Sequence, residues 1–170
     1  DDSRMGDAVA FGDFNNDGRQ DLVIGAFLQN VDSNDGGTVF VFLQQSDGTF
    51  TDEDVLHFYP PINYDDDYAR YYGRGLDTGD VNNDGKTDLL VGAPLWEDSS
   101  NQTAQSGAVL IYYGASSGTI DTEVDFILEN PNAGDASQFG ISMDVADINE
   151  DGANDLLVGA WQDNTTNTDS

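Results

Sequence analysis

The chain has no cysteine, one histidine and four prolines, and only five lysines and arginines among 170 residues. Each scarcity removes a class of protein. Without cysteine there is neither a disulfide framework nor a thiolate metal site, although the compartment stays open. Five cations against 33 acidic side chains give a formal net charge of −28. So few cations cannot build the basic patch that neutralises phosphate, and nucleic acid is not expected as a partner. An anionic membrane surface repels the same charge. No apolar run approaches the roughly 18 residues of a spanning helix, so no membrane insertion is expected, and the start lacks a signal-peptide pattern. The chain opens on Asp1 rather than methionine, which reads as processing or as a fragment. Neither a G-x-S-x-G elbow nor a phosphate loop occurs, and carboxylate pairs carry no information at this abundance. His57, the single histidine, stands in or near a strand pattern. The expectation is a protein that is not an enzyme.

What abounds is aspartate, which outnumbers glutamate 28 to 5. Aspartate favours turns and loops over helix interiors. Cations are the natural counterpart of such a chain. Nine of the 28 aspartates fall in three copies of one motif and nineteen do not, so part of the acidity reads as solubility in salty surroundings.

The three copies are "DFNNDGRQD" at 13–21, "DVNNDGKTD" at 80–88 and "DINEDGAND" at 147–155, each starting 67 residues after the last. Around them, residues 5–27, 72–94 and 139–161 align without a gap over 23 positions, and 37–50 aligns with 107–120. A fixed period of this length marks a repeat architecture. "DLVIGA" and two copies of "DLLVGA" are continuous apolar runs, as in strands buried on both faces. "TVFVFL" and "AVLIYY" are rich in β-branched and aromatic residues and follow glycine. Weaker strands are expected at 55–59 and 124–128, and one more ends at each acidic motif. "DASQFGISM" (135–143) admits a turn of helix, but nothing sustains a helical period. The fold class is therefore all-β, with four-stranded antiparallel units of the size of β-propeller blades. The units are expected at 1–67, 68–135 and 136–170, the last with only its first two strands: about two and a half blades. Closure takes about four to eight blades, so either a longer chain or other copies must complete the stack.

The shared pattern D-x-N-x-D-G-x-x-D has the chemistry of an ion site. Oxygens at positions 1, 3 and 5 converge if the chain curls, and glycine at position 6 permits the curl. Position 7 offers a backbone carbonyl, so its side chain is free to vary, and the last aspartate closes the shell. The candidate ligands are Asp13, Asn15, Asp17, Arg19 and Asp21; Asp80, Asn82, Asp84, Lys86 and Asp88; and Asp147, Asn149, Asp151, Ala153 and Asp155. Arg19, Lys86 and Ala153 would contribute through the carbonyl. Hard oxygen donors in a flexible loop suit Ca²⁺, at about 2.3–2.6 Å, better than Mg²⁺ or Zn²⁺. An EF-hand needs a bidentate glutamate at position 12, where this chain has Ile24, Val91 and Val158. The competing reading is a bare hairpin turn, which has no need of three repelling carboxylates in every copy.

An aromatic-glycine pair, then the acidic loop, then "LLVGAP" resembles the FG-GAP repeat of the integrin α-subunit β-propeller. Similar repeats occur in bacterial and archaeal surface proteins. Phe139-Gly140 matches the aromatic-glycine element literally, Tyr72-Gly73 is a close variant and Met5-Gly6 departs from it. Gly92-Ala93-Pro94 matches the second element, while Gly25-Ala26-Phe27 and Gly159-Ala160-Trp161 lose the proline. The resemblance implies a calcium loop between the first two strands of each blade, hence three ions. It also implies an adhesion or ligand-recognition platform on an extracellular or cell-surface protein.

A protein or glycan ligand would then meet the loops at 28–36, 60–71, 95–106 and 129–137. Tyr64, Tyr68, Tyr71 and Tyr72 either anchor such a partner or pack between blades. Two other roles are compatible with the repeat: a structural subunit completing blades between chains in a fibre or ring, and the accessory domain of a secreted hydrolase. The sequons at Asn101 and Asn164 read as chance in a chain rich in asparagine and threonine.

Overall fold

A computed structural model describes residues 3–29, 36–61, 69–97, 105–116, 118–132 and 137–161. Its strands in chain order begin with β1 (Met5–Gly12), β2 (Asp21–Ala26), β3 (Thr38–Phe42) and β4 (Val55–Phe58). Next come β5 (Ala69–Arg70), β6 (Gly75–Gly79), β7 (Asp88–Ala93) and β8 (Leu95–Trp96). The remainder are β9 (Ala108–Tyr112), β10 (Phe126–Glu129), β11 (Ser142–Ala146) and β12 (Asp155–Gly159). Strands β1-β2-β3-β4 form one antiparallel sheet, β6-β7-β9-β10 a second, and β11-β12 a third. These are two full blades and two strands of another. Among the described residues there is no helix, and none of them forms a helix able to cross a membrane.

The continuous apolar runs conceal a two-residue period that the packing separates. Leu89 and Val91 of β7, with Ala108, Leu110 and Tyr112 of β9, join a core shared with the first blade. Leu90, Val109 and Ile111, between them in sequence, join a second core with the third sheet. Every residue of β7 is buried because the middle blade is covered on both faces. Each buried Leu or Val contributes about 1.5–3 kcal/mol of transfer free energy. The first strands of the three blades run side by side, with β6 between β1 and β11.

Glycines bring neighbouring backbones together at the blade joints. A Cβ on Gly25 would overlap the carbonyl of Gly73, and one on Gly92 would overlap the carbonyl of Gly140. The aromatic-glycine pair of one blade therefore seats on the Gly-Ala strand end of the blade before it. Tyr72 N–H donates to the Gly36 carbonyl at 3.3 Å, and Phe139 N–H donates to the Ser106 carbonyl at 3.1 Å. Gly73 and Gly140 take positive φ of 83° and 88°, which disfavours any side chain. Tyr72 is fully buried between the first two blades, its hydroxyl 2.7 Å from that of Tyr112. Phe58 meets the Tyr112 ring edge-on at 5.0 Å. Tyr71 meets the Phe27 ring at 5.1 Å in the same manner. Tyr71 and Tyr72 thus pack between blades, whereas Tyr64 and Tyr68 lie outside the described residues.

The structure departs from the sequence reading in three places. The last strand of the second blade starts at Phe126 rather than 124; just before it, Asp125 N–H donates to the Ile111 carbonyl at 3.0 Å and its carboxylate accepts from Tyr113 N–H at 2.7 Å. Strands β5 and β8 pair as a short antiparallel ribbon that no pattern in the sequence announced. The described part of "DASQFGISM" holds no helical turn; Ile141 N–H closes a tight turn onto the Gln138 carbonyl at 3.2 Å before β11.

Gly92→Ala should lower stability by about 3 kcal/mol in urea unfolding, because backbone rather than a movable side chain blocks the methyl. Alkali tests the tyrosine pair. Burial holds the Tyr72 phenol well above its ordinary range and pushes Tyr112 up to about 12. Unfolded tyrosines ionise near pH ~10, so the stability these protons confer is whole below that value. It is then lost as the pH climbs toward about 12. Tyr72→Phe should flatten that decline while costing about 1–3 kcal/mol at neutral pH, through the buried hydroxyl left without its partner.

Candidate metal centre

Each acidic motif joins the first two strands of a blade, and its ninth residue opens the second: Asp21 in β2, Asp88 in β7, Asp155 in β12. Inside the loop the three copies make the same hydrogen bonds. The N–H of Asp84 donates to both Asp80 Oδ1 at 2.9 Å and Asn82 Oδ1 at 3.0 Å. Asp17 N–H does likewise with Asp13 and Asn15, at 3.0 and 3.1 Å, and Asp151 N–H with Asp147 and Asn149, at 3.1 and 2.9 Å. One donor thus gathers the oxygens of positions 1 and 3. The second oxygen of position 1 accepts from the glycine N–H in all three loops, at 2.8–2.9 Å. The Oδ1 of position 5 accepts from the N–H of position 7 at 2.9 Å in each, namely Arg19, Lys86 and Ala153. Positions 1 and 3 are thus gathered on one donor, while position 5 turns an oxygen onto the N–H of position 7.

Position 9 has a different setting. Asp21 and Asp88 are fully buried. Asp21 Oδ2 accepts from Phe14 N–H and its Oδ1 from Gln44 N–H, both at 2.9 Å. Asp88 repeats this with Val81 and Gly114 at 2.8 Å, and Asp155 accepts from Ile148 N–H at 3.1 Å. In the first two blades this carboxylate ties the loop to the end of the third strand. Burial raises both the Asp21 and the Asp88 carboxyl above the usual carboxylate range, against the backbone N–H groups that lower them. Such a group favours a neighbouring positive charge.

Among the described residues no three acidic or histidine side chains form a ready-made metal cluster. The backbone N–H donors just described occupy one direction at each oxygen. A carboxylate has about four lone-pair sites, so those bonds leave acceptor capacity for a cation. The donor set is all oxygen, which fits a hard divalent ion such as Ca²⁺.

Sequence reasoning missed three features of these loops. Position 4 is left-handed in every copy: Asn16 (φ 58°), Asn83 (φ 60°) and Glu150 (φ 61°). Asparagine in two of the three copies was the available signal, since it tolerates that conformation. The loops also carry unequal counter-charge. The Arg19 guanidinium pairs with Asp17 in its own loop. Lys86 Nζ reaches instead to Asn16 Oδ1 of the first loop, at 3.0 Å, and the third loop has Ala153 at that position. Finally, Asn154 Nδ2 donates to the Asp80 carbonyl at 3.0 Å, joining the third loop to the second. His57 sits exposed on β4, with its Nδ1 3.2 Å from the Tyr59 hydroxyl.

Stacked antiparallel blades, each with an acidic loop between its first two strands, define a protein of the β-propeller repeat class. A family model described as FG-GAP-like repeat matches residues 13–91, and one described as FG-GAP repeat matches residues 72–112. The chain belongs to the FG-GAP repeat family. Integrin alpha-3 of Cricetulus griseus is 32% identical over 164 residues, which is 94% of this chain and 14% of that protein. Integrin alpha-PS5 of Drosophila melanogaster is 34% identical over 92% of this chain and 15% of its own length. Integrin alpha-IIb of Mus musculus is 33% identical over 94% of this chain and 15% of its own length. The chain thus spans about one seventh of these relatives.

Glu150→Asn should stabilise the chain by about 1 kcal/mol, since asparagine relieves the left-handed strain that glutamate bears there. Paired urea titrations of the two proteins check it; an unchanged midpoint contradicts the strain.

Proposed function

We propose that this chain is a calcium-binding, non-enzymatic β-propeller segment of an extracellular or cell-surface protein that serves adhesion or recognition. The observation that carries the reading is the identical curl of the three acidic loops, each gathering the oxygens of positions 1 and 3 on one N–H. In each loop the ion would be held by the side chains of positions 1, 3, 5 and 9 and the carbonyl of position 7. Bound calcium supplies charge neutralisation and a cross-link, not reaction chemistry. It offsets three carboxylates per loop and fastens the first strand pair of a blade. The likeness to proteins named integrin alpha supports the adhesion part of the reading. A protein or glycan partner would meet the loops around 28–36, 60–71, 95–106 and 129–137.

Calorimetric titration of calcium into the chelator-treated chain tests the reading. The expected stoichiometry is three, with dissociation constants on the order of 10⁻⁴–10⁻³ M, as for other extracellular modules. Asp84→Ala should leave two. Calcium at a hundred times its dissociation constant should add about 2.7 kcal/mol of stability per site. A variant that still binds three ions rejects the ligand assignment, and no binding at all rejects calcium.

A further inference from the structure

The first two acidic loops have the same formal charge, three aspartates and one cation at position 7, but they use that cation differently. In the first loop Arg19 turns inward. Its guanidinium pairs with the Asp17 carboxylate, and its Nε donates to the Gln44 carbonyl at 2.9 Å. Gln44 is also the residue whose N–H holds Asp21, again at 2.9 Å. One side chain therefore links position 5 of the loop to the backbone that anchors position 9. That is the cross-link assigned above to a bound ion, made here by an organic cation.

The second loop is packed differently. In the place of Gln44 stands Gly114, whose N–H holds Asp88 at 2.8 Å. A Cβ on Gly114 would lie 2.6 Å from both the Lys86 Cβ and the Thr87 carbonyl, so the backbone there runs against the root of the Lys86 side chain. Lys86 Nζ crosses the blade joint instead and donates to Asn16 Oδ1 at 3.0 Å. Asn16 is held in place for it, since its Nδ2 donates to the Ala115 carbonyl at 3.1 Å. Asp84 Oδ2 then accepts from the neutral Asn82 Nδ2 at 3.2 Å, where Asp17 has a guanidinium. Two of the chain's five lysines and arginines thus converge on the first loop. Among the described residues none forms an ion pair with a carboxylate of the second.

Given the calcium reading above, on which this rests, we propose that Arg19 grades the loops: the second fills with calcium before the first, and the first holds its clamp without the ion. A dication entering the first loop competes with the guanidinium for the Asp17 carboxylate. It is also repelled by that guanidinium and by the Lys86 ammonium on Asn16. At the second loop it meets carboxylates whose partners are backbone and amide N–H groups alone. Arginine suits the first task because its planar fork satisfies a carboxylate and a carbonyl at once. The ion pair is partly open to water, with side chains 36% and 23% exposed, so the weakening is moderate, about tenfold in affinity. A chain built in this way keeps one blade clamped when calcium is scarce and gains the other as calcium rises.

A calcium titration of the full chain, started in chelator and followed by nuclear magnetic resonance, tests it, because the amides of Gly18, Gly85 and Gly152 report one loop each. The Gly85 amide should reach its midpoint at about one tenth of the calcium that Gly18 requires. Arg19→Ala should bring the Gly18 midpoint down about tenfold, level with Gly85, and leave Gly85 and Gly152 where they were. In chelator the same variant should unfold at lower urea than the wild-type chain, and saturating calcium should close most of that gap. A merely structural arginine would leave a gap that calcium does not close. If Arg19→Ala does not fold without calcium, the order of the Gly18 and Gly85 midpoints in the wild-type chain decides alone. Equal midpoints, a first loop that fills before the second, or a Gly18 midpoint unmoved by Arg19→Ala each overturn the grading while calcium binding stands. Calcium that shifts none of the three amides overturns the calcium reading and the grading with it.

Discussion

Everything in this chain depends on how closely one blade's backbone approaches the next. At the joints of Gly25 with Gly73 and of Gly92 with Gly140, no side chain fits between the main chains. That approach brings Leu89, Val91 and Leu110 onto the first blade and Leu90, Val109 and Ile111 onto the third sheet. A four-stranded sheet alone would leave one of these two sets in water. The blade is therefore a covalent unit but not an energetic one, as in other repeat proteins whose stability resides in neighbour interfaces. The same dependence explains why Val9 and Phe11 at one end of the described stack and Leu157 at the other stay exposed.

The acidic loops attach to this framework through their last residue. Asp21 and Asp88 lie buried at the start of the second strand, with backbone donors from the loop on one oxygen and from beyond the third strand on the other. The loop is thereby fixed to the blade before any ion is considered. Asp13, Asn15 and Asp17, and their counterparts, are arranged by the loop's own N–H groups. A cation held by the loop as proposed above would couple charge neutralisation to the sheet, because the aspartate at position 9 also opens a core strand. The three loops share their geometry and differ in counter-charge: Arg19 serves the first, Lys86 bridges the second to the first, and the third has neither.

The integrin alpha relatives cover nearly all of this chain with about one seventh of their own length. The likeness therefore speaks to blades and loops. It does not carry the remainder of those proteins with it. Within the blades, the two diagnostic elements have a physical reason for occurring together. The aromatic-glycine pair and the Gly-Ala strand end are the two halves of one interblade contact, contributed by successive repeats. Proline after Gly-Ala is dispensable, as Phe27 fills that place in the first blade and packs on Tyr71 and Arg74 of the second.

The sequence by itself determined the all-β class, the 67-residue period, the strands that flank each acidic loop and the curl that gathers positions 1 and 3. These are local properties: a turn needs glycine at its sixth position, and a strand of β-branched residues follows wherever it lies. Position 4 stood at the edge of legibility, because Asn16 and Asn83 announce a left-handed residue whereas Glu150 conceals it. Only the tertiary structure decided which residues of a continuous apolar run face which neighbour. "DLLVGA" reads the same in the second and third repeats, yet Leu90 is fully buried and Leu157 is 46% exposed. The difference is a blade packed on one of them and, among the described residues, none on the other. The same holds for Asp88, whose chemistry as a buried clamp comes from Gly114, 26 residues away. A period can be counted along the chain, but a neighbour exists only once the chain has folded back on itself.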